Sequence, residues 1–171
     1  MSVNRQRLHK RTIELEGYLR DDGLWEIEAE LGDIKGYDTV LMNRGIVPAG
    51  TKFHHMKIIM VVNDEFEIID VKAHMYATPF TDCPEAEISY ENLKGLKIQS
   101  GWINQVRERI ERSSGCTHLN ELLPAMATAA IQTREGYRMK LEKEQHGKVL
   151  DRPQQHNTCR GYRDDALIHK Q

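Results

Sequence analysis

The fold is decided by the stretch TIELEGYLRDDGLWEIEAEL, residues 12–31, in which apolar and polar side chains alternate along two arms. An Asp-Asp-Gly sequence, typical of a tight turn, separates the arms. The apolar positions are Ile13, Leu15, Gly17 and Leu19 in the first arm and Trp25, Ile27, Ala29 and Leu31 in the second. Because successive side chains of a strand point to opposite faces, this alternation predicts a β-hairpin with one buried and one solvent-exposed face.

A second hairpin is predicted after a loop of residues 32–52. Its arms are HHMKIIMVVND, residues 54–64, and FEIIDVKAHMYATP, residues 66–79, with the turn at residues 63–65 and Pro79 as the stop. Parity groups His54 with an apolar face and places His55 and His74 on solvent-facing sides. The predicted buried positions are Met56, Ile58, Met60 and Val62, then Ile69, Val71, Ala73 and Met75.

The second half of the chain has the apolar spacing of helices. A short helix is predicted at residues 84–93, and two further helices follow. Their apolar faces are Trp102, Val106 and Ile110 in one and Leu119, Leu122, Met126 and Ala130 in the other, with Ile131 as a further candidate. The last helix is predicted to begin near Asn120, which leaves Cys116 and His118 in the loop before it and requires Pro124 to lie in the first turn or to kink the helix.

Four antiparallel strands followed by helices predict an α+β fold in which the helices pack on one face of a small sheet. We expect a single domain over residues 1–146 and a polar C-terminal extension over residues 147–171.

Composition excludes several classes of function. The chain has 24 basic and 26 acidic residues, interspersed, with a net charge of −2, so it lacks the basic surface of nucleic-acid or membrane-surface binders. No segment approaches the roughly 18 apolar residues of a transmembrane helix, and the charged N-terminus lacks the apolar core of a signal peptide. We therefore expect a cytoplasmic protein whose three cysteines are reduced thiols.

A metal site is predicted where the second hairpin opens. Cys83 follows the last strand and His54 begins its partner, so the antiparallel hairpin places them side by side. The site is complete if the helical layer places Cys116 and His118 next to these two residues. These four side chains form a plausible Cys2His2 site for Zn²⁺ or Fe²⁺. The alternative is that Cys83 and Cys116 are small buried apolar side chains.

Other residues are candidates for substrate binding and proton transfer. Arg20 and Tyr18, on the first hairpin, could bind a carboxylate or phosphate, and Trp102 could line a pocket. The alternative for these residues is a polar turn and a core tryptophan. Glu121, three residues after His118, is a candidate general base or orienting group, or simply an acidic residue favoured at a helix N-terminus.

The motifs GYLRDDGLWEIEAELGDIK, FHHM, ATPFTDCP, LKGLKIQSGW and GCTHLNELL occur in this order. Over residues 7–135 the chain resembles the bacterial family catalogued as domain of unknown function 2889. The resemblance implies no activity. His54 matches the family's histidine at a strand start, and His55 stands where the family usually has an acidic residue.

The layout is also similar to that of iron–sulfur scaffold proteins of the NifU and IscU type. Those proteins have a small antiparallel sheet followed by helices, and His54, Cys83 and Cys116 fall at the places of their ligands. A histidine stands where the scaffolds have a cysteine. The resemblance implies the fold and the location of the site.

We expect a small metal-dependent enzyme of lyase or hydrolase type that acts on a small oxygenated acid, aromatic or otherwise. A metal-free variant would use Cys116 as nucleophile and His118 as base. The alternatives are an iron–sulfur or metal carrier, against which the lack of a third nearby cysteine counts, and a metal-free ligand-binding accessory protein. The sequence leaves open whether the protein forms a homo-oligomer.

Overall fold

The computed structural model describes residues 3–42, 44–148 and 160–163. The strands are β1 (His9–Leu19), β2 (Trp25–Lys35), β3 (Thr39–Leu41), β4 (Gly45–Val47), β5 (Lys52–Val62) and β6 (Ile68–Ala77). Four of them form one antiparallel sheet in the order β1-β2-β5-β6, and β3 pairs with β4 in a separate two-stranded ribbon. The helical elements are a 3-10 helix at Cys83–Leu93, α1 (Trp102–Arg109), α2 (Thr117–His146) and a 3-10 turn at Arg160–Tyr162.

The apolar face of the sheet and the helices share one hydrophobic core. Every apolar position predicted to be buried on β2 and β5 is buried. The apolar positions predicted for the two helices are buried too, except the further candidate Ile131, which is 40% exposed. Removing these side chains from water is the main term that stabilises the fold. The predicted α+β class is therefore confirmed.

The first strand is less buried than the alternation predicts. Ile13 and Leu19 are 41% and 46% exposed, and only Leu15 is partly buried against the core. The reason is position, because β1 is the outer strand of the sheet. The helical layer that buries the apolar face of β2 and β5 covers an edge strand only in part.

The buried face of β6 begins one residue earlier than predicted. Ile68 is 1% exposed, whereas Ile69, which was predicted to be buried, is 43% exposed. Val62 pairs with Ile68 and Val61 with Asp70, so Ile69 is an extra residue in the ladder. Such a bulge shifts side-chain parity by one position.

Two element boundaries also differ from the sequence predictions. The predicted loop of residues 32–52 contains the last part of β2 and the β3–β4 ribbon. Helix α2 begins at Thr117 and not near Asn120, because the Cys116 carbonyl already accepts a hydrogen bond from the Asn120 amide at 2.9 Å. His118 therefore lies in the first turn of the helix, and Pro124 lies inside it.

The chain forms two compact units, Met1–Arg134 and Glu135–Gln171. The first contains the sheet, α1 and the beginning of α2. The second contains the end of α2, where Lys140 and Glu144 form an i,i+4 ion pair, and the 3-10 turn at Arg160–Tyr162. Most of the predicted extension, residues 149–159 and 164–171, lies outside the described residues. In the described part of the chain, no helix has the length and apolar character needed to cross a membrane.

Candidate functional site

Three polar residues lie side by side at one end of the sheet, on neighbouring strands. Asp33 of β2 is directly opposite Arg11 of β1 and directly opposite His54 of β5. By parity, Asp33 continues the row of buried side chains that begins at Trp25. The apolar row therefore ends in a carboxylate that is 0% exposed, next to a histidine that is 7% exposed.

Asp33 accepts four hydrogen bonds. Arg11 donates from Nε to Oδ1 at 2.9 Å and from its terminal NH2 to Oδ2 at 2.8 Å. His54 donates from Nδ1 to Oδ2 at 2.9 Å, and His9 donates from Nε2 to Oδ1 at 3.0 Å. Burial acts to raise the pKa of Asp33, but the hydrogen bonds from Arg11 and His54 outweigh it and hold the pKa well below its ordinary value. Asp33 is thus an ionised carboxylate that can only accept.

Helix α2 brings a second histidine to this row. The ring centroids of His54 and His118 are 4.0 Å apart. Asp33, His54 and His118 offer ligand atoms that all lie within 4.8 Å of one another, a spacing that allows one metal ion to contact all three residues. Burial lowers the pKa of both imidazoles, and the nearby Arg11 lowers that of His118 further. Both rings are therefore neutral at neutral pH, which is the form that binds a metal.

A thiol lies next to His118. The Cys116 sulfur is 3.8 Å from His118 Nδ1 and 3.9 Å from the sulfur of Met56. Residues i and i+2 within a helix do not face each other. These two can approach because Cys116 immediately precedes α2 while His118 is its second residue.

Buried Tyr90 and exposed Glu121 hold the start of α2 in place. The Tyr90 hydroxyl lies 2.8 Å from Asn120 Oδ1 and 3.0 Å from the Cys116 carbonyl, and it accepts a bond from the Cys116 amide at 3.1 Å. Burial raises the pKa of Tyr90, so its hydroxyl remains a donor. Glu121 forms an ion pair with Arg11 and so links α2 to β1. The helix start is thus fixed on the sheet by polar contacts as well as by the core.

An open groove of about 700 Å³ runs along one side of these residues. His54 and His118 line it together with Cys83, Cys116 and Met56. Cys83 and His54 therefore lie on the same groove. The imidazoles form part of its wall, so a molecule in the groove can reach them.

The structure brings part of the predicted ligand set together. His54 and His118 belong to one group, Cys116 lies beside His118, and Cys83 lines the groove. Among the described residues, neither cysteine belongs to the group of three, in which Asp33 takes the third place. His55 points to the opposite face and is hydrogen-bonded to Glu30, so of the two adjacent histidines it is His54 that faces the site.

The predicted substrate residues lie elsewhere. The Tyr18 hydroxyl donates to Glu16, which raises the pKa of Tyr18 to about 12, and Arg20 pairs with Asp22 and Glu26. Seven residues of β1 separate Tyr18 from Arg11, a distance of roughly 23 Å at about 3.3 Å per residue. Trp102 is a buried member of the core and does not line the groove.

Arg11 and Asp33 are the site residues that the sequence predictions omitted. The signal for Asp33 was available, because it has the same parity as Trp25, Ile27, Ala29 and Leu31. Extending the first hairpin outward from its Asp-Asp-Gly turn then places Arg11 opposite Asp33. A charged residue at the end of an apolar row requires a charged partner when it is buried.

Comparison with known protein families gives one match. Residues 9–132 match the family described as "Protein of unknown function (DUF2889)". The chain belongs to this family. No curated protein and no solved structure matches the chain. The matched segment includes Arg11, Asp33, His54 and His118, so the whole row and the first turn of α2 lie within the family domain.

The site makes stability sensitive to acid. The pKa values of His54, His118 and Asp33 are all depressed in the folded protein, so the unfolded chain binds protons more readily. We expect the free energy of unfolding of metal-free protein to fall as the pH drops below about 6.5 and to fall further below about 4. Urea unfolding at a series of pH values across this range measures the change in the free energy of unfolding. The double variant His54→Gln/His118→Asn should lose most of the slope between neutral pH and about pH 5, where histidines titrate. The exposed His146→Gln should keep the slope, and an unchanged slope in the double variant would contradict the assignment.

Proposed function

We propose that the protein is a small metal-dependent enzyme of lyase or hydrolase type, with Zn²⁺ or Fe²⁺ bound by His54 and His118. The observation that supports this most directly is the close grouping of Asp33, His54 and His118, of which the two histidines line an open groove. Two neutral imidazoles next to a carboxylate and a thiol are the side chains that these metals use.

We assign Asp33 to orienting His54. Its oxygens already accept bonds from Arg11, His9 and His54, which makes Asp33 a poor direct ligand. A carboxylate that accepts the Nδ1 proton of a histidine fixes the ring and leaves Nε2 free for a metal. His54 would therefore bind through Nε2, the nitrogen that does not contact Asp33.

Cys116 is the best-placed third ligand. A tetrahedral Zn²⁺, with bonds of about 2.3 Å to sulfur and about 2.0 Å to nitrogen, separates such ligand atoms by about 3.6 Å. The sulfur of Cys116 and Nδ1 of His118 are 3.8 Å apart, close to that separation. Among the described residues Cys116 does not join the group of Asp33, His54 and His118, so its sulfur would have to move toward His54 to complete the site. Cys83 lines the same groove and is a candidate for the fourth ligand. In an enzyme, the fourth position would instead be open to water or substrate.

A metal with an open position supplies Lewis-acid chemistry. It polarises a carbonyl or lowers the pKa of a bound water to about 7. Glu121 was a candidate base, but its ion pair with Arg11 gives it the role of holding α2 to the sheet. None of the three predicted substrate residues, Tyr18, Arg20 and Trp102, lines the groove. They are therefore not placed to contact a substrate bound at the imidazoles. The proposed substrate is a small oxygenated acid in the groove, and the proposed location is the cytoplasm.

Metal content tests the proposal. Protein purified without chelator should contain about one equivalent of zinc or iron per chain, the stoichiometry of a mononuclear site. His118→Asn and His54→Gln should each lower the metal affinity at least about tenfold, as should Asp33→Asn through loss of the orienting bond. The matched control is His74→Asn on β6, outside the group. Absence of metal from every preparation, or equal loss with His74→Asn, would refute the proposal.

One specific observation favours a second candidate, a metal-free thiol enzyme. The contact between Cys116 and His118 Nδ1 is that of a nucleophile and its base. This candidate predicts activity in the presence of chelator that Cys116→Ser abolishes and that Cys83→Ser leaves intact. An iron–sulfur carrier, suggested by the layout alone, predicts iron with an equal amount of sulfide.

A further inference from the structure

The groove beside His54 and His118 carries negative charge where residues 80–85 line it, a segment that we call its acidic end. Asp82 and Glu85 line it, and both are exposed. Within the described residues, neither carboxylate forms an ion pair, and no lysine or arginine is among the described residues that line the groove. An anion at this end would meet two unneutralised carboxylates.

Two arginines from other segments do not neutralise this charge. Arg44 donates to the carbonyl of Thr78, and Arg11 is engaged by Asp33 and Glu121. Neither side chain lines the groove. Among the described residues that line the groove, Asp82 and Glu85 are the acidic ones.

An aromatic ring lies at the same end. Phe80 lines the groove, is 63% exposed and is not part of the hydrophobic core, so its ring is open to a molecule in the groove. The face of an aromatic ring attracts ammonium and guanidinium groups, and carboxylates nearby add to that attraction. Asp82 accepts a hydrogen bond from the Thr81 hydroxyl but keeps its charge. An exposed ring on the same segment as two carboxylates without ion pairs is a combination that recognises an organic cation.

We infer that the substrate carries a cationic nitrogen, an ammonium or guanidinium group, at the end that lies by Phe80, Asp82 and Glu85. Its oxygenated end then lies by His54 and His118. This inference rests on the proposed function in one respect, namely that the reacting end of the substrate lies by His54 and His118. The proposed substrate is therefore a small oxygenated acid that also carries an amine or guanidine group. The carboxylates that line the groove have the opposite charge to this nitrogen.

Three probes of similar size and different charge test this inference on metal-free protein. They are phenethylamine, 2-phenylethanol and 3-phenylpropanoate, and their dissociation constants are measured by two-dimensional NMR titration at low ionic strength and near neutral pH. Phenethylamine should bind about fivefold or more tightly than the alcohol, and the carboxylate should bind most weakly, since two exposed carboxylates and one ring each contribute modestly. The amide signals of Cys83, Ser89 and Cys116 should shift, because these residues line the groove.

Isosteric variants locate the charges responsible. Asp82→Asn/Glu85→Gln should abolish the preference for the amine, and Phe80→Leu should reduce it. Asp21→Asn/Glu65→Gln makes the same change of net charge at exposed residues outside the groove and should leave the preference intact. Tight binding of 3-phenylpropanoate, a preference that survives Asp82→Asn/Glu85→Gln, or no binding of any probe would overturn the inference.

The use of metal-free protein separates this inference from the proposed function. Asp82→Asn/Glu85→Gln should bind zinc as the unchanged protein does, because neither residue belongs to the Asp33 group. If the amine preference holds in a protein that binds no metal, the groove specificity stands and the metal-dependent enzyme fails. If metal binds at His54 and His118 but the preference is absent, the proposed enzyme stands and the cationic substrate fails.

Discussion

Replacement of Asp33 by alanine is expected to lower the free energy of unfolding by about 3–5 kcal/mol, the usual effect of removing one partner of a buried ion pair. The side chain of Asp33 is buried and accepts bonds from Arg11, His54 and His9. Without it, Glu121 is the ion-pair partner that Arg11 keeps among the described residues, and the Nδ1 proton of His54 loses the acceptor it has there. Urea unfolding of metal-free protein near neutral pH measures the loss.

Two further variants show whether the loss comes from this ion pair. Asp70→Asn removes the carboxylate of an exposed pair with Lys94 and should cost about 1 kcal/mol or less. In the double variant Asp33→Ala/Arg11→Met, no unpaired guanidinium remains, so the two losses should not add. A cost for Asp33→Ala as small as that for Asp70→Asn would show that the buried row is not formed.

The second large effect is expected at Ile68. Ile68→Ala should cost about 2–5 kcal/mol, because the side chain is fully buried in the core and its removal leaves a cavity. Ile69→Ala is the matched control, since it removes the same atoms from the next residue, which is 43% exposed, and should cost about 1 kcal/mol or less. Urea unfolding of both variants tests the bulge at Ile69 directly. The opposite order of costs would mean that β6 keeps the parity predicted from its sequence.

Local patterns predicted much of the fold. The alternation around the Asp-Asp-Gly turn gave the first hairpin, and the parity of His54 with Met56, Ile58, Met60 and Val62 gave its buried orientation. These predictions hold because the period of a strand is a property of the backbone itself. The burial of Ile13, Leu19 and Ile69 was predicted wrongly, since it depends on which strand lies at the edge and on where the ladder takes an extra residue.

The candidate site was likewise predicted only in part. Sequence reasoning singled out His54, Cys116 and His118, whose residue types suit a metal, but it placed His118 in a loop and did not include Arg11 or Asp33. It also proposed Tyr18 and Arg20, which are polar and lie on the same hairpin as Arg11. Residue type and local spacing do not show which end of the hairpin carries the site, because that depends on where the helical layer packs against the sheet.

By itself, the sequence determined the four strands of the main sheet, most of their apolar positions and the α+β class, because each follows from side-chain periodicity over a few neighbouring residues. The first hairpin could place Arg11 opposite Asp33, but only the tertiary structure decided that His54 continues this row and that α2 brings His118 against it. These residues are far apart in the chain, and their contact depends on ladder register and on packing of the helix start by Tyr90 and Glu121. A buried carboxylate is stable only where such partners meet.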